Sequence, residues 1–174
     1  SKLIERLVLS RLQPHVLGSP HFNHLQSAYR PHHSTETALL LSLNNIYQAA
    51  DNSQPTLLVS LDLSAAFDTI DHALLLSRLQ TSFGVSGCAL SWLSSYLSNR
   101  TQLVRIGQSS SPPTCLDSGV PQGSVLGPIL FSLYVSPIGQ IVSRQDILHQ
   151  QYADDTQLYI SLTASDPSSG ISRL

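Results

Sequence analysis

The amino-acid sequence predicts an α+β fold in which an antiparallel central sheet packs on helices. Apolar residues recur at helical spacing over residues 3–16 and again over residues 39–50. The nearly continuous apolar run TLLVSLDL (residues 56–63) predicts a strand that is buried on both faces. Near the end of the chain, two runs of strand character flank the sequence YADD. Because helices and strands alternate irregularly, a regular doubly wound sheet is disfavoured.

The two N-terminal helices are predicted from their apolar positions and their ends. The first helix ends near Gly18, and its apolar positions are Leu3, Ile4, Leu7, Val8, Leu12 and Val16. Ser34 is a candidate N-cap for the second helix, with Glu36 favourably placed in its first turn. The predicted buried stripe of that helix consists of Leu39, Leu40, Leu43, Ile46, Tyr47 and Ala50.

The elements between the apolar strand and the YADD sequence follow from caps and breakers. Asp71 is a candidate cap for a short helix, and another helix is predicted from about residue 89 to residue 97. QLVRI predicts a strand, GQSSSPPT a loop rich in turns, and the next residues a short extended piece. SGVPQGS introduces an apolar helix over residues 125–138, in which Pro128 is tolerated only within the first turn.

Composition predicts a globular, intracellular protein. Hydrophobic residues make up 41% of the 174 residues and charged residues 11%, which excludes a disordered chain. The net charge of −2 does not indicate a nucleic-acid binder. Cys88 and Cys115 are expected to be reduced thiols in or near the core. No secretory signal is visible, and the longest apolar run is far shorter than the roughly 20 residues that span a bilayer, so no membrane partner is expected.

The YADD sequence predicts a hairpin with Asp154 and Asp155 at its tip, and Asp62 ends the apolar strand. If the hairpin and that strand are neighbours in one sheet, three carboxylates converge, and their mutual repulsion favours a bound cation. All-oxygen ligation is typical of Mg²⁺. The residues alone leave a second interpretation equally open, in which Asp62 caps a loop and the hairpin acids are solvated.

Three sequence blocks, in this order, resemble the palm motifs of a reverse transcriptase from a non-LTR (LINE-type) retrotransposon. They are LVSLDLSAAFDTIDH, SGVPQGSVLGPILFSLYVSPI and QYADDTQLYIS. SKLIERLVLSRLQPHV and QSAYRPHHSTETALL resemble the segments on the fingers side of the same family. The resemblance runs from residue 2 to about residue 162. It implies a partial fingers region over residues 1–54, a palm over residues 55–163 and the start of a truncated region over residues 164–174.

The resemblance also implies a set of catalytic residues. Asp62 and Asp154 would be the principal ligands of two Mg²⁺ ions, for which Mn²⁺ could substitute, and Asp155 would be a third, less essential carboxylate. Nucleotidyl transfer to a primer 3′-hydroxyl would then follow a two-metal mechanism.

Further positions are implied to contact substrate. Phe67 would be an aromatic gate beside the sugar of the incoming nucleotide, and Gln122 and Gly123 would line the nucleotide and template pocket. Tyr152 would lie close to the primer end, and Arg30 corresponds to the arginine of the fingers-side FRP segment. Phe67 could instead belong to the core, and Arg30 could be a surface salt-bridge partner.

Several positions depart from the family pattern or have a plainer interpretation. Tyr29 replaces the usual Phe before Arg30, and His32 replaces a Gly, which puts the backbone shape of that loop in question. Asp68 and Asp71 are interpreted as helix-entry residues. The histidines at positions 21, 24, 32 and 33 have irregular spacing and no neighbouring Cys, so they are interpreted as polar loop residues rather than metal ligands.

The resemblance implies RNA-templated DNA synthesis, with an RNA template, a DNA primer and deoxynucleoside triphosphates as partners. RNA-templated RNA synthesis is disfavoured by YADD and GVPQGS. The chain begins without Met, directly in a helical pattern, and is expected to be a piece of a longer protein that carries further fingers and thumb segments. We expect the piece alone to be inactive and its parent to reside in the nucleus or the cytoplasm, with the nucleus favoured. The alternative is a non-catalytic relic of a retroelement.

Overall fold

The computed structural model describes residues 2–162, and these form two compact units. One unit consists of residues 2–19 and 65–134, and the other of residues 20–64 and 135–162. The predicted division into fingers, palm and tail follows the chain instead, and it stays a prediction. Its tail, residues 164–174, lies outside the described residues.

The described residues contain both helices and strands, as expected for an α+β protein. The helices are α1 (Lys2–Leu17), α2 (Thr35–Asp51), α3 (His72–Thr81), α4 (Gly87–Leu97), α5 (Gly127–Val135) and α6 (Pro137–Ser143). The strands are β1 (Thr56–Leu61), β2 (Arg100–Gln102), β3 (Arg105–Ile106), β4 (Ser109–Ser110), β5 (Thr114–Leu116), β6 (Leu148–Tyr152) and β7 (Asp155–Ser161).

A three-stranded antiparallel sheet in the order β1-β7-β6 organises the unit of residues 20–64 and 135–162. Helix α2 contacts all three strands, and α6 contacts β6. Alternate residues of β7 enter the core, because successive side chains of a strand point to opposite faces. This core consists of Ile147, Leu158 and Ile160, with Leu57, Val59, Val142 and Leu162 packed against it.

Burial in this unit differs from the sequence prediction at β1 and α2. The prediction that β1 is buried on both faces is wrong, since Leu58 and Leu61 are each 47% exposed. Strand β1 is an edge strand of an antiparallel sheet, and a continuous apolar run does not by itself distinguish that position from a central one. Helix α2 buries the small residues Ala38, Ser42 and Ala49, whereas Leu39, Leu40, Tyr47 and Ala50 of the predicted stripe are exposed. Its predicted cap is confirmed, because the Ser34 hydroxyl accepts from the Thr37 N–H at 3.3 Å.

The unit of residues 2–19 and 65–134 is mainly helical and carries two short hairpin-like pairings, β2 with β5 and β3 with β4. Its largest fully buried residues include Val16, Ile70, Leu75, Leu79, Leu93, Leu97, Leu126, Leu130, Phe131 and Leu133. The predicted cap is confirmed at α3, where the Asp71 carboxylate accepts from the Leu74 N–H at 2.7 Å. Cys88 and Cys115 are exposed, so their predicted place in or near the core is wrong.

The apolar helix predicted over residues 125–138 is divided into α5 and α6. Pro128 lies in the first turn of α5, as expected, because the N–H that proline lacks has no partner there. Pro137 opens α6 in the same way. Within residues 2–162, none of the helices is long and apolar enough to cross a bilayer.

Candidate active site

The ladder between β1 and β7 brings Asp62 and the YADD sequence to one end of the sheet. The last residue pair of that ladder is Leu61 with Thr156. Asp62 follows Leu61, and Asp155 precedes Thr156, so continuing the register by one step would place Asp62 opposite Asp155. The neighbouring-strand arrangement on which the predicted convergence depended is therefore present.

Asp154 and Asp155 occupy different positions in the hairpin of β6 and β7. Tyr152 pairs with Asp155, and only Ala153 and Asp154 form the turn. Asp155 is thus the first residue of β7 and not a tip residue, whereas Asp154 lies at the tip as predicted. Ala153 has a φ of 55°, in the left-handed region that residues with a β-carbon rarely adopt.

The carboxylates at this end of the sheet are accessible to a ligand. Asp62 and Asp155 are exposed, and Asp154 is half-buried. Their donor atoms are carboxylate oxygens, which suit Mg²⁺ or Mn²⁺. Among residues 2–162, no group of three or more His, Cys, Asp or Glu side chains is arranged to hold a metal ion. Joint ligation of metal ions by Asp62, Asp154 and Asp155 therefore stays a prediction.

The segment that resembles the FRP motif lies close to the hairpin tip. Burial raises the pKa of the Tyr29 phenol, and electrostatic repulsion from Asp154 and Tyr152 raises it further. The Arg30 guanidinium has local structural partners: it donates to the carbonyl groups of His24 at 2.6 Å and Gln26 at 3.0 Å. It also lies over the Phe22 ring, 5.5 Å from its centroid. These contacts order the loop; the predicted substrate contact of Arg30 stays a prediction.

The loop after Arg30 keeps a left-handed residue where the family pattern has glycine. His32 has a φ of 63°, and its side chain is exposed. A glycine adopts this conformation without steric cost, whereas a histidine is strained in it. His32 is therefore a point of backbone strain in this loop.

In the other unit, Phe67 lies in an aromatic pair. Its ring stacks on that of Phe131, with centroids 4.6 Å apart and an angle of 26° between the planes. Phe131 is 1% exposed, while Phe67 is half-buried. One side of Phe67 therefore belongs to the core and the rest is accessible. Its role as an aromatic gate stays a prediction.

The segment SGVPQG (residues 118–123) is held against the turn that contains Phe67. The N–H groups of Val120 and Gly119 donate to the carbonyls of Phe67 at 2.9 Å and Ile70 at 2.8 Å. Gly119 has a φ of 83°, and a β-carbon there would lie 2.9 Å from the Asp68 carbonyl oxygen. Only glycine fits this close backbone approach.

Gln122 and Gly123 lie at the end of this segment. The Gln122 amide donates to both carboxylate oxygens of Asp68, each at 3.3 Å. Helix α3 begins at His72 with Asp71 as its N-cap, so the helix-entry prediction is confirmed for Asp71 and wrong for Asp68, which lies in the preceding turn. Gly123 has a φ of 73° and open space around the position of a β-carbon. Both residues line a cavity of about 310 Å³ together with Glu5, Tyr96 and Arg100.

Glu5 is a structural residue of this unit that the sequence prediction missed. It is 5% exposed, and its carboxylate accepts from the N–H groups of Val125 at 2.7 Å and Leu126 at 3.4 Å, just before α5 begins. A negative charge is favourable at a helix N-terminus. The sequence carried a partial signal: residue 5 shares a helical face with the apolar residues Leu12 and Val16, which indicates burial of Glu5 but not its partners.

Comparison with known families and proteins identifies relatives over nearly the whole chain. The family model described as "Reverse transcriptase (RNA-dependent DNA polymerase)" matches residues 1–166. The probable RNA-directed DNA polymerase from transposon BS of Drosophila melanogaster is 33% identical over 166 residues, which cover 92% of this chain and 18% of that protein. The RNA-directed DNA polymerase from the mobile element jockey of the same species is 32% identical, over 89% of this chain and 17% of the relative.

A further relative comes from a different element. The retrovirus-related Pol polyprotein from the type-1 retrotransposable element R2 of Popillia japonica is 29% identical, over 90% of this chain and 23% of the relative. The chain thus spans about a fifth of the length of these three relatives.

A solved structure supports the fold. The apo telomerase of Candida tropicalis, truncated from its C-terminal domain, matches 98% of this chain and 35% of its own with a TM-score of 0.61. The sequence identity is 15%, so the likeness concerns the fold alone. It agrees with the α+β architecture predicted from the sequence.

Proposed function

Because the chain belongs to the reverse transcriptase (RNA-dependent DNA polymerase) family, we propose that it forms the palm of an enzyme that synthesises DNA on an RNA template. The reaction is attack of a primer 3′-hydroxyl on the α-phosphate of a deoxynucleoside triphosphate. A bond forms between the 3′-oxygen and the α-phosphorus while the bond from that phosphorus to the β-phosphate oxygen breaks, so pyrophosphate leaves and the hydroxyl proton is released. The partners would be an RNA template and a DNA primer, with no membrane.

One observation carries this proposal: the register between β1 and β7 that brings Asp62 and the YADD hairpin to the same end of a sheet. Carboxylates that converge repel one another, so bringing them together costs free energy unless a cation offsets it. The hairpin turn alone does not require a carboxylate such as Asp62 at the end of the neighbouring strand β1.

The carboxylates fit the hard divalent ions used in phosphoryl transfer. Asp62 and Asp154 would hold Mg²⁺, with Asp155 as an additional ligand, and Mn²⁺ could substitute. Mg²⁺ is commonly bound by one or two carboxylates together with substrate phosphates, so these few accessible acids suffice. Two such ions, when bound, would activate the primer hydroxyl and stabilise charge on the leaving group.

The remaining predicted residues would orient the substrates. Phe67 would close the space beside the nucleotide sugar, and Gln122 and Gly123 would line the nucleotide and template pocket. Asp68 supports this role for Gln122 by fixing its amide. Tyr152, which pairs with Asp155, would contact the primer end, and Arg30 would act on substrate from the loop that it orders.

Primer extension by a full-length polypeptide that contains this chain tests the proposal. With an RNA template and Mg²⁺, the wild type should extend a DNA primer, and Asp154→Asn should reduce extension to background, because a ligand charge is lost while the shape is kept. Asp51→Asn, at the exposed end of α2, is the matched control and should leave extension unchanged. Equal extension by wild type and Asp154→Asn would contradict the proposed role of the carboxylates.

The 174-residue chain by itself should not extend a primer with Mg²⁺ or Mn²⁺. Its net charge is −2, and affinity for nucleic acid derives mainly from basic contacts to phosphate. Correct positioning of reactants is worth up to about 7–11 kcal/mol, so loss of the segments that grip primer and template removes most of the rate. Robust extension by the chain alone would overturn this part of the proposal.

We propose that the parent protein resides inside the cell, with the nucleus favoured.

A further inference from the structure

The turn at the tip of the YADD hairpin has an unusual backbone and an unusual partner. Ala153 lies in the left-handed region with a φ of 55°, although its β-carbon disfavours that conformation. A strained residue persists only where surrounding contacts hold it. The next residue is Asp154, so the conformation of Ala153 fixes the direction from which that carboxylate leaves the hairpin.

The partner is the side chain of Gln26, which is completely buried. Its Nε2 donates to the Ala153 carbonyl at 2.9 Å, and its Oε1 accepts from the Ala153 N–H at 2.9 Å. One amide group therefore satisfies both backbone polar groups of a single residue. Oε1 also accepts from the Ala28 N–H at 3.1 Å, so the two N–H donors and the carbonyl acceptor determine which end of the amide faces which partner.

Gln26 is itself held beside the hairpin by the backbone. The segment around it pairs with β6: the Ser27 N–H donates to the Gln151 carbonyl at 2.9 Å, and the Gln151 N–H donates to the Leu25 carbonyl at 3.0 Å. This parallel bridge aligns Gln26 with Gln151. Gln151 lies two residues before Ala153. The bridge therefore holds the Gln26 backbone at a distance from the turn that its side chain can reach.

A second set of buried amides fixes the base of the same hairpin. The Gln151 Nε2 donates to the Thr156 hydroxyl at 3.0 Å, across the pair next to the tip. The Asn23 amide donates to the Gln151 Oε1, and its own Oδ1 accepts from the Leu25 N–H at 3.1 Å. The base is thereby ordered independently of Gln26, so loss of Gln26 should affect the tip more than the fold.

We propose that Gln26 is a positioning residue for catalysis: its amide holds Ala153 in the left-handed conformation and so aims Asp154. The inference rests on the proposed function, in which Asp154 is a metal ligand. Gln26 touches neither substrate nor metal and acts through Ala153. Small displacements of a reacting group can lower a rate by about a hundredfold, so the effect should appear in kcat.

The test compares Gln26→Met with a control and with a rescue, in a full-length polypeptide that contains this chain. Methionine preserves the length of the side chain and removes all three hydrogen bonds. We expect kcat for nucleotide incorporation to fall by about 10- to 100-fold, with KM for the nucleotide unchanged. The matched control is Gln150→Met, because Gln150 is also buried, and its Nε2 donates to the Ser27 hydroxyl at 2.7 Å and to the Gln151 carbonyl at 3.1 Å but not to the turn. That variant should keep the wild-type kcat.

The rescue uses Ala153→Gly, because glycine adopts the left-handed conformation without steric cost. Added to Gln26→Met, it should restore most of the kcat that Gln26→Met loses. A purely structural role for Gln26 would give no such rescue. Equal losses of kcat in Gln26→Met and Gln150→Met, or failure of the rescue, would overturn the proposal.

Amide exchange in the 174-residue chain separates this inference from the proposed function. In Gln26→Met, the Ala153 N–H should exchange about tenfold faster relative to the wild type, while the amides of β7 keep their protection. If the wild-type polypeptide incorporates no nucleotide, the proposed function fails, and Ala153 exchange alone decides whether Gln26 holds the turn. Unchanged exchange at Ala153 would refute that contact, and faster exchange without a loss of kcat would refute its catalytic role.

Discussion

The YADD turn and the SGVPQG segment are both irregular backbone beside predicted site residues, but they are held by different means. In the turn, a strand ladder sets the register as far as the pair of Tyr152 and Asp155, and one buried glutamine fixes the remaining residue. The SGVPQG segment lies outside the named strands. It is held by backbone donors to Phe67 and Ile70, by the close approach at Gly119 and by Asp68.

This difference determines how each region responds to change. A ladder distributes its hydrogen bonds over many residues. Loss of a single side chain at the hairpin tip should therefore change the geometry of the tip and leave the fold intact. The SGVPQG segment depends on one position where no β-carbon fits. We therefore expect substitutions near the YADD turn to affect geometry and rate, and substitutions at Gly119 to affect folding.

The largest effect on stability is expected for Gly119→Ala. The new β-carbon would lie 2.9 Å from the Asp68 carbonyl oxygen, and the residue would be strained at a φ of 83°. Overpacking costs about 1–3 kcal/mol and left-handed strain about 1–2 kcal/mol, while the lower entropy of the unfolded alanine chain offsets about 0.4–1 kcal/mol. The free energy of unfolding should therefore fall by roughly 1.5–4.5 kcal/mol. Denaturant unfolding of the chain measures it.

Gly123→Ala is the matched control for this prediction. Gly123 shares the left-handed conformation, with a φ of 73°, but a β-carbon there meets nothing within 4 Å. Only the strain of about 1–2 kcal/mol remains, and the lower entropy of the unfolded alanine chain offsets about 0.4–1 kcal/mol of it, so the loss should be roughly 0.5–1 kcal/mol. Equal losses for the two variants would mean that the close approach to Asp68 does not hold the segment.

An intermediate effect on stability is expected for Phe67→Ala. The same variant would decide whether Phe67 is an aromatic gate beside the nucleotide sugar or a core residue. Loss of the stack on Phe131 should lower the free energy of unfolding by roughly 2–3 kcal/mol, less than for a fully buried Phe because Phe67 is half-buried. If Phe67 also closes the space for a ribose 2′-hydroxyl, incorporation of ribonucleotides should rise relative to deoxyribonucleotides. Competitive incorporation by an active full-length polypeptide measures this ratio.

Phe131→Leu serves as the control for Phe67→Ala. It loosens the same aromatic pair from the buried side, since Phe131 is 1% exposed, and it leaves the accessible face of Phe67 in place. The ratio of ribonucleotide to deoxyribonucleotide incorporation should then stay at the wild-type value. An unchanged ratio in Phe67→Ala as well would assign Phe67 to the core.

The sequence predicted what depends on local patterns and missed what depends on tertiary partners. The caps at Ser34 and Asp71 and the first-turn place of Pro128 follow from short-range chemistry, and the structure confirms them. The hairpin was predicted from alternation and the turn at YADD, although Asp155 belongs to β7. Gln26 and Glu5 have partners more than a hundred residues away, which a local pattern does not reveal.

Burial was predicted less well than the elements themselves. The residues expected in the buried stripe of α2 include several that are exposed, because its contacting face carries Ala38, Ser42 and Ala49. Small residues let a helix approach a sheet closely, but hydropathy alone ranks them below leucine. Strand β1 shows the same limit, since its apolar run does not reveal that it lies at an edge.

The smallest effect on stability is expected at His32, in the loop that follows Tyr29 and Arg30. Its φ of 63° should cost about 1–2 kcal/mol with a histidine side chain, and His32→Gly would remove that strain. Glycine also increases the entropy of the unfolded chain, which offsets about 0.4–1 kcal/mol. The net change should be stabilisation by roughly 0.5–1 kcal/mol, measured by denaturant unfolding of the chain.

His33→Gly is the control with the opposite sign. His33 is also exposed, but it is not among the residues with positive φ, so glycine relieves no strain there. Only the entropy of the unfolded chain changes, and the variant should be destabilised by roughly 0.4–1 kcal/mol. Destabilisation by both variants would mean that His32 is not strained in this loop. Stabilisation by His32→Gly together with destabilisation by His33→Gly would show that His32 is strained at its positive φ.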